Sequence, residues 1–444
     1  MKTGFSKICI NPPYGAPITG YYERRAVKGI LDDLFVRTII FDDGTTQSAI
    51  VAVDLCYLPQ EFFDKMRTVI SEATGIDYKA IFINCSHTHT GPLVGKDFAS
   101  EQESSEAYNS FLISCVRDSA IYAQNHLNES TFETAETQAK GVSFVRRYRM
   151  KDGSVATNPG VKHPNIDHAL GEPNETVKLL KILRENDRDI YLVHFGTHPD
   201  SVGGEYISAD YMGFVCKTIE QAIPDTDCIF ILGFQGDVNH VNVAPTDGEA
   251  AISVIDFDSV PRSIRHAEHM GRVIAGAVLS ICSITEPCEV GTIRFGNATV
   301  ELPSYQQNER LEEAKAIMAL YEAGRANELP YKEMELTTVV AEATRIVNLQ
   351  NGPESFTFGL SAMAFGDIVF AGVGGEPFTE IGNRIREASP FKNTFLCALT
   401  NSATGYIPTT KAYSEGGYEA RSSSLKPGGD EIIIEGMKNL IESL

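Results

Sequence analysis

Four apolar runs in this chain stop at the same kind of place. Ile81-Phe82-Ile83 leads into Asn84-Cys85-Ser86-His87-Thr88-His89-Thr90-Gly91-Pro92, and Ile190-Tyr191-Leu192-Val193-His194-Phe195 into Gly196-Thr197-His198-Pro199-Asp200. Cys228-Ile229-Phe230-Ile231-Leu232 ends at Gly233-Phe234-Gln235-Gly236-Asp237-Val238-Asn239-His240. Asp367-Ile368-Val369-Phe370-Ala371-Gly372 ends at Val373-Gly374-Gly375-Glu376-Pro377-Phe378. Short runs that are apolar and rich in β-branched residues read as buried strands. The glycines and prolines after them break regular structure. Such a chain folds around a covered sheet whose strand ends carry polar side chains, and in open α/β sheets ligands bind there.

Those ends supply His87, His89, His198, Asp237, His240 and Glu376. In an extended segment residues i and i+2 project from one face, which aims His87 and His89 the same way. One imidazole then holds a metal while the other polarises a substrate or relays a proton. The same pair also fits two histidines bonded to backbone in a tight corner. His194, inside its strand, reads as a core histidine. A catalytic zinc site needs two or three His or carboxylate ligands and an open position, where the metal lowers the pKa of water to about 7. The chain has no HExxH helix and no Cys quartet.

The rest of the chain alternates strands and helices. Val36–Phe41 and Ser48–Asp54 form a hairpin on an Asp-Gly turn, and a helix runs from Pro59 to Ala73 with Phe62, Phe63, Met66, Val69 and Ile70 on one face. The acidic stretch from Asp97 to Glu106 leads into a helix ending near Leu127. Val142–Tyr148 is a strand, Ser208 caps a helix running to Ile223, and Ser263–Ser283 is helical. Helices over Asn308–Ala326 and Tyr331–Leu349 make an αα-hairpin insertion at about 305–350, and the chain ends in a polar, Tyr- and Gly-rich tail. With no clean linker, residues 1–444 read as a single large mixed-sheet α/β domain with helices packed around it.

Composition narrows the partners. A formal charge of −21 disfavours nucleic acid and anionic membranes. The nine scattered cysteines suit free thiols in a reducing compartment. No signal-like start and no membrane-spanning run is present, which makes the cytoplasm the default. Nothing in the sequence fixes an oligomeric state.

Ser86-His87-Thr88-His89-Thr90-Gly91-Pro92, Thr197-His198-Pro199, Gly236-Asp237-Val238-Asn239, Gly375-Glu376-Pro377-Phe378-Thr379 and Asn401-Ser402-Ala403-Thr404-Gly405-Tyr406 resemble, in order and approximate spacing, the blocks of the neutral (non-lysosomal) ceramidases. Those enzymes are zinc amidases that split ceramide into fatty acid and sphingosine. The resemblance implies one zinc ion per chain, held by His87, His198, Glu376 and Tyr406, with His89 beside it acting on the substrate carbonyl, the water or the leaving group. Gly20, Arg146 and Tyr418 lie in segments resembling the family's substrate-contacting residues, Tyr418 being counted with the catalytic groups. On the residues alone, Arg146 also reads as a salt-bridge partner and Tyr418 as a core aromatic. Likewise Tyr406 also reads as a tyrosine packed under a loop, and Glu376 as a helix N-terminal residue.

Two departures stand out. The family block continues after Gly-Asp-Val with a catalytic serine and a proline, where this chain has Asn239 and His240. Asn239 is then a donor to an oxyanion or to the substrate. His240 is an extra acid/base, a second-layer group or a loop cap. The family's C-terminal β-sandwich domain also has no counterpart. The expected activity is hydrolysis of an N-acyl amide, lipid or small and soluble, by zinc-bound hydroxide. The alternatives are a metal-dependent ester or lactone hydrolase, and a ligand-binding homologue without turnover.

Overall fold

The computed structural model describes residues 1–96, 102–256 and 258–444. The start of the acidic stretch, Asp97 to Glu101, lies outside them. The described chain builds two sheets packed face to face with helices outside each.

The larger sheet runs, in spatial order, through Thr226–Leu232, Asp189–Phe195, Thr176–Arg184, Asn128–Gln138, Lys2–Cys9, Phe35–Asp42, Gln47–Val53 and Ile81–Cys85, with Glu286–Pro287 as a ninth strand beside Asn128–Gln138. Only its two edge pairs are parallel: Asp189–Phe195 with Thr226–Leu232, and Gln47–Val53 with Ile81–Cys85. On a flat sheet those pairs would point in opposite directions. Twist of about −20 to −25° per strand turns the two edge pairs toward a common direction over seven steps, and the sheet curls so that their C-terminal ends meet. There the Leu232 N–H donates to Asn84 Oδ1 at 3.0 Å.

The second sheet orders Arg294–Pro303, Ser355–Phe365, Ile368–Val373 and Asn393–Cys397, the last two parallel. Phe41, Phe82, Ile182, Leu192 and Ile231 from the first sheet meet Met363, Phe365, Phe370 and Phe395 from the second in one buried layer. The first sheet's other face is covered by the helices Gln60–Thr74, Glu106–Asn125, Asp210–Ala222 and Ile264–Ile281. Thr379–Ala388 and Gly429–Glu442 cover the second. The α/β class and the large mixed sheet are as expected, and the second sheet is an addition.

Beyond the last sheet strand, Ala398 to Asn401 wedges between the converging edges. Ala398 N–H donates to Leu232 O, Cys85 N–H to Leu399 O and Asn401 N–H to Ile83 O, at 3.0, 3.2 and 3.0 Å. The loops after the apolar runs are thereby tied into one surface.

The αα-hairpin forms as Leu311–Glu322 and Glu333–Leu349 around its own apolar cluster of Ala314, Ile317, Val339, Val340, Ala343 and Ile346. Other expectations shift. The helix after Ser208 is capped by Ala209, while Ser208 Oγ accepts from the Asp210 N–H. Val142–Tyr148 breaks into Phe144–Val145 and Arg147–Met150. The tail is largely helical. All nine cysteines are free, and no helix of the described residues is long and apolar enough to cross a membrane.

Candidate metal centre and cavity

His87 does not continue the strand. It sits just past Cys85 with φ +65°, so the alternation argument fails for it. The left-handed turn, not strand pleating, puts His87 and His89 side by side, with ring centroids 4.9 Å apart. The turn is held from below by the Ser86 N–H on Val53 O and the His87 N–H on Leu55 O. His89 and His198 are pinned together by the His89 N–H on Pro199 O. Glu376 pairs with Tyr406 across a two-residue parallel ladder, which aligns the last two expected ligands. Gly236 lies so close to that ladder that a Cβ there would sit 2.3 Å from Glu376 O, so only glycine fits.

His87 Nε2, His198 Nδ1 and Glu376 Oε2 converge: the carboxylate oxygen is 3.1 Å from the first and 3.7 Å from the second. All three atoms are buried and none has a hydrogen-bond partner among the described residues. Buried polar atoms are almost always satisfied, and leaving one unmet costs about 1–3 kcal/mol. Three unmet acceptor-capable atoms within 4.8 Å of one another are what a tetrahedral cation would satisfy. The opposite ring nitrogen of His87 donates to Cys56 O at 2.7 Å, which fixes Nε2 as the free lone pair. A second grouping, Cys56 with His87 and His89, draws on that already committed side of His87.

Protons compete for the same groups. Burial lowers the His87 pKa, but the Glu376 carboxylate and Cys56 together outweigh it and hold His87 well above its ordinary value. His198 is driven well below, by burial first and by Arg146 second. Burial takes His89 down to about 3. Tyr406 is raised by burial even though the Arg146 guanidinium, 5.1 Å from its ring centroid, pulls the other way. A cation would supply the missing positive charge.

Above this floor opens a cavity of about 140 Å³ lined by Gly20, His89, Arg146, His198, Tyr406 and Tyr418 among others. Six of the ten expected site residues therefore meet on its walls, with His87 and Glu376 beneath His198. Gly20, at φ +111°, abuts His89. Arg146 is buried in an ion pair of 2.6 Å with Glu419 and donates to Gly236 O at 2.8 Å. Tyr418 packs edge-on to Tyr406.

Asn239 and His240 stand behind the wall, both fully buried. The Asn239 amide accepts from the Val241 N–H and donates to Asn158 Oδ1, at 3.0 Å each, and it is Asn158 that lines the cavity. His240 Nε2 donates to Pro261 O at 2.7 Å, and burial lowers its pKa to about 4. Asp237 accepts from the Thr379 N–H and hydroxyl, at 2.7 and 2.8 Å, capping a helix rather than joining the site.

Sequence reasoning missed Tyr21, Asp200, Arg262 and Glu419, and missed that the hairpin supplies Tyr321, Met334 and Val340 to the cavity. Asp200 had a local signal, two residues after His198 in the same loop. The others come from distant segments with none.

No protein-family model matches the sequence, and no curated protein matches it. Among solved structures, the neutral ceramidase from Pseudomonas aeruginosa shares the fold with a TM-score of 0.73 at 15% identity, covering 100% of this chain and 75% of that one. A structure described as ceramidase complexed with C2 matches at 0.72 and 14% identity, with the same coverage.

Proposed function

We propose that this chain is a zinc-dependent hydrolase that cleaves an N-acyl amide. The observation that carries the reading is the convergence of three buried, unsatisfied ligand atoms from His87, His198 and Glu376 under a cavity, in a fold shared with neutral ceramidases. Tyr406, paired with Glu376 on the ladder and faced by the Arg146 guanidinium, is the fourth ligand. Zinc bound there supplies a Lewis acid that brings water to a pKa of about 7.

The chain's own residues do the rest. Arg146, neutralised by Glu419, packs against the Tyr406 ring. His89 borders the position where the acyl carbon would sit and is kept uncharged by burial. Gly20 leaves the backbone room to approach it, and Tyr418 presents its phenol beside Tyr406. Asn239 acts through Asn158, which it holds at the wall, and His240 fixes the Pro261 carbonyl next to Arg262. Met334, Leu336 and Val340 from the hairpin form an apolar side suited to an acyl chain, while the tyrosines and Asp258 form a polar side for the amine half.

The test is elemental analysis of the purified chain together with a panel of fluorogenic acyl amides and esters, before and after chelation. Stoichiometric zinc with chelator-sensitive amide cleavage is expected. Turnover of esters alone would move the reaction class, and zinc with no turnover would leave a ligand-binding protein. No zinc, with none taken up on addition, refutes the reading.

A further inference from the structure

We infer that Asp200 is a positioning residue for the proposed metal centre, holding His89 in the tautomer that lets His198 offer a lone pair to the cation. The inference rests on the metal reading above and extends it to a residue outside the ligand set.

The argument is one of proton bookkeeping. If His198 Nδ1 faces a cation, its proton must be on Nε2. That atom is 3.0 Å from His89 Nε2, so His89 Nε2 must accept, and the His89 proton must be on Nδ1. The opposite assignment sets two N–H groups against each other, or puts the His198 proton on Nδ1, facing Glu376. His89 Nδ1 is buried and has no hydrogen-bond partner among the described residues; the acceptor facing it is Asp200 Oδ1, 3.8 Å away.

The carboxylate is itself held rigidly. Arg262 Nε donates to Oδ1 at 3.0 Å and a terminal guanidinium nitrogen to Oδ2 at 2.8 Å. The other terminal nitrogen binds Asp258 at 2.7 Å. The Tyr21 hydroxyl also donates to Asp200 Oδ1. Asp258, Arg262, Asp200, His89 and His198 thus form one buried line ending at the ligand cluster. Such carboxylate–histidine arrangements raise ligand basicity and fix ring orientation, and removing the outer partner typically weakens metal binding 10- to 100-fold. Here the carboxylate acts through a second histidine.

The experiment is zinc titration of the metal-free full chain against a chromophoric chelator, comparing wild type, Asp200→Asn and Asp200→Glu. Asparagine keeps the size and an acceptor but removes the charge. We expect it to weaken zinc binding about 10- to 100-fold, with Asp200→Glu recovering most of the loss. Equal affinity of wild type and Asp200→Asn overturns the proposal. Should Asp200→Asn not fold, long-range ¹⁵N–¹H correlation spectra of histidine-labelled, zinc-loaded wild type decide it. His89 protonated on Nδ1 supports the line, and protonation on Nε2 overturns it. A wild type that takes up no zinc sinks the metal reading itself, which separates the two failures.

Discussion

Replacing Gly20 by alanine probes the tightest contact on the cavity wall. At φ +111° the backbone there is in a region that costs a non-glycine residue about 1–3 kcal/mol. An alanine Cβ would also lie 3.0 Å from His89 Cα, 3.0 Å from Cγ and 3.1 Å from Nδ1. His89 has little room to retreat, because its carbonyl accepts from Arg25, its N–H is on Pro199 O and its ring is set against His198. Forcing a methyl into such packing costs about 1–3 kcal/mol more. Gly15 is a built-in control: φ is +81° but nothing lies within 4 Å of its Cβ position. We therefore expect Gly15→Ala to lose about 1–2 kcal/mol and Gly20→Ala about 2–6 kcal/mol, read from urea denaturation at constant slope. Zinc affinity should fall as well, because the inferred line from Asp200 through His89 to His198 runs through the ring that the methyl displaces. If Gly20→Ala is within about 0.5 kcal/mol of Gly15→Ala, a margin typical of independent surface changes, the close packing against His89 is wrong.

Other perturbations test other links. Glu419→Gln leaves buried Arg146 without its countercharge and should destabilise by about 3–5 kcal/mol in denaturant; a loss below 1 kcal/mol would mean the pair is solvated. His198→Ala should purify with far less than stoichiometric zinc at unchanged far-UV circular dichroism, whereas full occupancy would remove it from the ligand set. For Asp43, burial raises the pKa, but bonds from the N–H groups of Ile293, Thr45 and Thr46 and the Thr45 hydroxyl outweigh it and hold it at about 2 against an ordinary 3.8. Its contribution is therefore present above pH 4 and lost as pH falls through 2, so Asp43→Ala should flatten the melting temperature's fall between pH 4 and pH 2. An unchanged slope in that window would discount those four donors. Asn239→Ser places the hydroxyl that the ceramidase resemblance implies behind the wall and removes the bond to Asn158. It should lower amide turnover and cost about 1 kcal/mol, and unchanged turnover would detach Asn239 from the reaction.

Where a run of residues is locally decisive, the sequence could be read. The Asp-Gly hairpin, the helix Gln60–Thr74 and the αα-hairpin all follow from composition and period, with bounds shifted by a residue or a few. Lys2–Cys9 and Asn128–Gln138 were not legible as strands, because they carry few apolar residues and take their place through neighbours: Lys2–Cys9 pairs all eight residues with Phe35–Asp42. The helix Gly429–Glu442 did carry a signal, with buried Ile433, Ile434, Met437, Leu440 and Ile441 at helical spacing, hidden behind the glycines before it.

The site divides along the same line. His87, His198 and Glu376 were legible because each follows its own strand, and a strand end is a local property. Their convergence was implied only by the family resemblance, since physically it depends on the twist and curl of eight strands and on the wedge from Ala398 to Asn401. Asp200, Arg262 and Glu419 mark the limit most sharply. Asp200 shares a loop with His198, but its partners Arg262 and His89 are remote, and Glu419 acts on the equally remote Arg146, so no window short enough to carry a pattern contains these pairs. Ligands can therefore be nominated from motifs, while the groups that set their protons and charges come from the tertiary fold. That is why the decisive test of the proposed centre lies at Asp200, whose carboxylate faces His89, a histidine from a distant segment that spacing could not link to it.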